Sequence, residues 1–165
     1  MYLFLILTVL SALPALITAD PSPEAIVKMI NTGRRNFANK FNVANMNELE
    51  NDKELWINAG NLMNKCLDKS QLSQQNSYEI VPVMEKATGS EIEKELIRLA
   101  EAYLTNPGQT KIGLSESFKC GRPLGYNLIF VMGPLNKMSA VKNGPPGSKC
   151  DEGRVNRNGL CVKKQ

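Results

Sequence analysis

The sequence predicts a single α+β domain, and three observations carry that reading. Three stretches place apolar residues at helical spacing. Two short apolar runs, one after residue 109 and one ending at residue 132, have the character of strands. A mature chain of about 150 residues is the length of one domain with its own core.

The first helix begins at Ser22-Pro23-Glu24, with Ser as N-cap, Pro at the first helical position and an acid in the first turn. Ile26, Ile30, Gly33, Phe37 and Phe41 then step along one face. Gly33 on that face costs about 1 kcal/mol of helix propensity relative to Ala. Either a neighbouring element approaches closely there or the face borders a groove, and close packing is the simpler account. Arg34 and Arg35 lie off the stripe and are expected in solvent. Asn42 to Asn47 reads as a polar connection.

In the second helix Leu55, Ala59, Leu62, Met63 and Cys66 share one face. Asn51 with Glu54 is a capping box. Trp56, the only tryptophan, borders the apolar face. It is expected to be partly buried, with its indole N–H on a polar partner or water. Residues 67–79 read as an exposed loop. Ile80 to Met84 is a short strand that Pro82 confines to a sheet edge.

The third helix runs from Ser90 to Leu104, with Ser90 and Glu93 as a capping box and Asn106-Pro107-Gly108 as its stop. Its buried face is Ile92, Leu96, Leu99, Ala100 and Tyr103. Gln109 to Leu114 and Tyr126 to Met132 follow as strands, the second continuously apolar as suits a strand covered on both faces. Gly121 to Gly125 reads as the turn of an antiparallel pair. Beyond Gly133 the chain is rich in Gly, Pro and Lys. There Cys150 and Cys161 enclose ten residues, a disulfide-closed loop.

The first 19 residues read as a signal peptide, an apolar run from Leu3 to Leu10 followed by a small-residue site at Ala19. The run is shorter than the ~20 residues a spanning helix needs. The expected organisation is therefore 1–19 signal peptide, 20–141 domain and 142–165 basic tail. Cleavage would leave a secreted chain with no membrane span. Four cysteines in a secreted chain predict two disulfides, from three connectivities. Charge divides unevenly. Residues 119–165 hold nine Lys or Arg against two acids, whereas residues 20–118 hold eleven against fourteen. Such a tail suits acidic glycans or lipid headgroups; the plainer reading is that these cations solvate a segment without its own core.

The chain has no histidine. That removes Ser-His-Asp and Cys-His nucleophilic sites and His-based proton transfer. The cysteines lack a C-x-x-C zinc spacing. Gly144-Pro145-Pro146-Gly147 has prolines where a phosphate loop needs N–H donors. The basic tail carries no aromatic residue for stacking nucleic-acid bases. No catalytic residue, cofactor or metal is expected.

Met46, Leu49, Asp52, Leu55, Ala59 and Cys66 resemble the M-x-x-L-x-W-D-x-x-L…A…C helix of the CAP superfamily: cysteine-rich secretory proteins, antigen 5 and pathogenesis-related proteins. Asn31…Arg34 is similar to the family's N-x-x-R, Gln109 to Gly113 to its strand leading into I-G-C, and Phe130 to Pro134 to a V-C-x-Y-G-P strand end. Pro146-Gly147-Ser148…Cys150…Gly159-Leu160-Cys161 is similar to tails in a divergent invertebrate branch. The resemblance implies an α-β-α sandwich with a small antiparallel sheet between helices. The family's two-His, two-Glu tetrad cannot exist here, and Asn51 stands where the family has Trp. Leu114 replaces a cysteine of the family pattern, which leaves Cys66–Cys120 as the surviving pair beside Cys150–Cys161.

The implied function is a secreted, non-catalytic binding protein for a lipid, a sterol or a protein. Ile30, Gly33, Phe37, Trp56 and Met63 are the candidate groove. The alternative is a structural or inhibitory protein acting through its disulfide-closed tail.

Overall fold

The computed structural model describes residues 22–67, 71–72, 79–83, 92–116, 128–134 and 140–165. The signal-peptide segment, the Gly121–Gly125 turn and the Ser90 cap lie outside these residues. So do Cys120 and Tyr126.

Helix α1 is Pro23–Phe41, capped by the Ser22 hydroxyl, which accepts from the Ala25 N–H at 3.3 Å. It ends where Asn42 takes the left-handed conformation (φ 53°), which Asn tolerates better than most residues. Strand β1 is Glu50–Asn51, helix α2 Lys53–Asn64, strand β2 Glu79–Val83 and helix α3 Ile92–Tyr103. Strands β3, Lys111–Glu116, and β4, Leu128–Gly133, complete the main sheet; β5, Arg154–Arg157, and β6, Leu160–Lys163, form a separate hairpin.

The sheet order is β1-β3-β4-β2. β4 pairs antiparallel with both β3 and β2, and β1 adds to β3 in parallel. β2 is an edge, as Pro82 requires. Alternate residues of β4 point to opposite faces, and both faces are covered. Phe130 and Met132, with Ile112 and Leu114 of β3, pack against Ile30, Leu96, Leu99 and Ala100 of α1 and α3. Ile129 and Val131 pack against Leu55, Ala59, Leu62 and Met63 of α2. The result is the α-β-α sandwich: α1 and α3, sheet, α2. Among the described residues no helix is long and apolar enough to cross a membrane.

Several local expectations are corrected. α2 is capped by Asp52, not Asn51; the Asp52 carboxylate accepts from the N–H groups of Glu54 and Leu55 at 3.0 and 3.1 Å. Asn51 belongs to β1, and its amide donates to Glu24. Cys66 lies beyond the end of α2 and is exposed rather than on the apolar face. α1 buries Val27, Ile30, Asn31, Arg34 and Ala38; its covered face is therefore rotated from the predicted stripe, and Phe41 is exposed. Tyr103 is exposed as well, and Leu104 takes the buried place at the end of α3. Gly33 does sit in close packing: a Cβ there would overlap Ala100 and the Ile97 carbonyl of α3.

Candidate functional site

The largest departure from the sequence reading is at Arg34, expected in solvent but fully buried. Its Nε and Nη2 donate to the Asn47 carbonyl at 3.1 and 2.9 Å, its Nη1 to the Leu104 carbonyl and its Nη2 to that of Asn106 at 3.0 Å. Leu104 and Asn106 lie just past α3, where a helix leaves carbonyls without intrahelical partners and carries partial negative charge. A planar fork of donors with a fixed positive charge satisfies both needs. Three residues earlier on the same face, the buried Asn31 amide donates to the Leu49 carbonyl and accepts from the Leu49 N–H, each at 2.8 Å. Asn31 thus bonds the chain entering β1 as a neighbouring strand would. The N-x-x-R pair is a structural latch joining α1, α3 and the segment before β1.

That segment, expected as a polar connection, is core. Val43, Ala44, Met46 and Leu49 are buried, and Asn45 and Asn47 with them. The C-terminal segment covers it. The Ala44 N–H donates to the Lys142 carbonyl (2.7 Å), the Lys149 N–H to the Ala44 carbonyl (3.1 Å) and the Cys161 N–H to the Met46 carbonyl (2.8 Å). Leu160 packs with Ala38, Val43 and Met46. The Cys150–Cys161 disulfide closes this element. Cys66 is disulfide-bonded too, and its expected partner Cys120 is outside the described residues.

A cleft of about 420 Å³ runs between α1 and residues 48–51. Glu24, Lys28, Arg35 and Glu48 stand on its rim, with Val27 and Leu49 among its apolar lining. Hydrogen bonds from its own backbone N–H, Ser22 and Asn51 hold the Glu24 carboxyl below the usual range. At neutral pH it is an anion and a poor proton donor.

Of the five candidate groove residues, three adjoin one core cluster and two lie elsewhere. Ile30 belongs to the cluster between sheet and α1/α3, against which Trp56 is half-buried. Gly33 touches α3. Phe37 borders the Ala38–Leu160 cluster, with its ring beside that of the exposed Phe41. Met63 is on the opposite side of the sheet with α2. None of the five lines the cleft. Trp56 is half-buried, as expected, and its indole N–H has no hydrogen-bond partner among the described protein groups.

Asp52 shows how the α2 end is held. Lys111 Nζ lies 2.6 Å from its carboxylate. That hydrogen bond, followed by those from the Leu55 and Glu54 backbone, lowers the Asp52 pKa from its ordinary 3.8. A depressed carboxylate contributes stability above its unfolded pKa and loses it as pH falls through the folded value. The wild type should therefore lose stability as pH drops below about 3.8, and Asp52→Asn should flatten that limb in acid denaturation monitored by circular dichroism.

The sequence matches no protein-family model and no curated protein. The fold has solved counterparts. Hookworm platelet inhibitor superposes with a TM-score of 0.60 at 17% identity, covering 87% of this chain and 91% of that one. Manganese-bound Ac-ASP-7 gives 0.57 at 20%, covering 87% and 90%. Na-ASP-1 gives 0.60 at 16%, covering 85% of this chain, which spans 46% of its length. Among the described residues no ligand set fits a metal of the kind carried by the second of these. The chain has no histidine, and no group of three or more Cys, Asp or Glu among the described residues is placed to hold one. Sheet order, helices on both faces and these superpositions agree: the chain has the CAP-like α-β-α sandwich fold.

Proposed function

We propose that the chain is a divergent member of the CAP superfamily, exported after cleavage behind Ala19, that works without catalysis by binding a protein partner at its surface. The observation that carries this reading is a CAP-like sandwich without the residues its site chemistry needs. There is no histidine for proton transfer or metal ligation, and the one acid of the cleft with a displaced pKa is fixed as an anion. One fold neighbour bears the name of an inhibitor, a role that binding alone fulfils. A lipid or sterol groove is less well supported: Ile30, Gly33 and Trp56 adjoin one packed core cluster, Phe37 and Met63 lie elsewhere, and none of the five lines the cleft. The 20–141 domain and the 142–165 segment act together in this reading, since backbone hydrogen bonds join them.

Titration of Trp56 fluorescence with a fatty acid and with cholesterol tests it. The expected result is an emission spectrum that neither changes, since the ring packs against core side chains. A saturable shift would restore the lipid reading and overturn this one. N-terminal sequencing of the exported protein should begin at Asp20.

A further inference from the structure

The β5–β6 hairpin concentrates positive charge at its open end. Arg154 lies directly across from Lys163, and like charges directly opposed destabilise a strand pair. Lys164 follows, its N–H bonded to the Gly153 carbonyl at 2.9 Å, so three cations gather at the open end of the hairpin. Arg157 is exposed at the turn end of the hairpin, and Lys149, whose Nζ donates to the Asn143 carbonyl at 2.8 Å, is exposed just before the disulfide. Two acids stand among them, Asp151 and Glu152. Asp151 is paired with Lys142 at 2.6 Å. At the other end, Arg35 of α1 donates to the Asn158 carbonyl at 2.8 Å. The excess sits on an ordered, disulfide-closed element bonded to residues 44–48, not on a loose end.

We propose that the open end of this hairpin, Arg154, Lys163 and Lys164, binds a sulfated glycosaminoglycan. A polyanion meets clustered cations through charge-assisted hydrogen bonds. Two other polyanions fit less well. Single-stranded nucleic acid needs aromatic platforms, and residues 135–165 contain no Phe, Tyr or Trp. A membrane-binding face needs a broad apolar side with bulky residues, whereas the exposed large apolar side chains of the described part of this segment are Val141 and Val155. The choice of a glycan rests on the reading of the chain as exported; the charge arrangement does not.

The test is binding to immobilised heparin at physiological salt. Arg154 also donates to the Cys161 carbonyl, so the substitutions are placed on the exposed Lys163 and Lys164. K163Q/K164Q should bind heparin about tenfold more weakly than wild type. K53Q/K65Q removes the same charge from α2 and its end, and should bind as wild type does. Desulfated heparin should not compete, and phosphatidylserine vesicles and single-stranded DNA should compete poorly. Equal losses in the two variants, tighter binding of the vesicles or the DNA, or no heparin binding by wild type would each overturn the proposal. An unchanged melting temperature and an intact Cys150–Cys161 peptide show that K163Q/K164Q is folded. N-terminal sequencing reports on export independently.

Discussion

Replacing Arg34 with methionine is expected to cost about 3–5 kcal/mol, because it leaves three carbonyls without their donor. Methionine fills much of the volume but donates nothing. The carbonyls of Asn47, Leu104 and Asn106 would each lose a donor inside the protein, and unsatisfied buried acceptors cost about 1–3 kcal/mol apiece. α3 would also lose the positive charge at its C-terminal end. Arg34→Lys should recover part of the loss, since an ammonium keeps the charge but cannot reproduce the fork. Arg35→Met is the control. Arg35 is partly exposed and bonds one carbonyl, so its loss should stay within about 1 kcal/mol. Urea unfolding decides between them: the Arg34→Met midpoint should fall sharply with little change in slope. Equal midpoints for the two methionine variants would mean that the latch does not hold the fold.

The residues that were legible are those whose neighbours are local or apolar. Ser22-Pro23 announces α1, the Leu55–Met63 face announces α2, and the run Tyr126 to Met132 announces a strand covered on both sides. Each is a pattern that periodicity or capping chemistry writes directly into the sequence. Arg34 was misplaced because charge argues for solvent, while its partners are backbone carbonyls up to 72 residues away, which leave no mark on composition. The 42–47 segment hides its burial for the same reason. Its asparagines look like loop residues, yet the Asn45 amide is satisfied by the C-terminal segment, donating to the Ala140 carbonyl and accepting from the Lys142 N–H. Asn51 and Asp52 compete for one role; the chain gives it to Asp52 because Asn51 is drawn into β1 beside β3. The five groove candidates lay on helical stripes, and a stripe does not say which side of a sheet it will cover.

Gly113→Ala is expected to cost about 3 kcal/mol, at the upper end for overpacking. Gly113 faces α2 from the centre of β3, and a Cβ there would overlap the backbone of Leu55 and Trp56 in the helix's first turns. A side chain can rotate away from such an intrusion, but backbone atoms move only if the helix does. α2 is fixed by the Asp52 cap at its start and by Leu55, Ala59, Leu62 and Met63 against β4. Lifting it to admit a methyl group would open that packing. Gly60 lies in the same helix with nothing within 4 Å of its added Cβ. Gly60→Ala should therefore stabilise the protein by about 0.5–1 kcal/mol through helix propensity and the unfolded chain. The two substitutions, chemically identical, should move the thermal midpoint in opposite directions. Trp56 supplies a second readout: Gly113→Ala should red-shift its emission as the ring loses its packing, while Gly60→Ala should leave it unchanged. A Gly113→Ala protein as stable as wild type, with unaltered Trp56 emission, would mean that α2 stands further from the sheet than this arrangement places it.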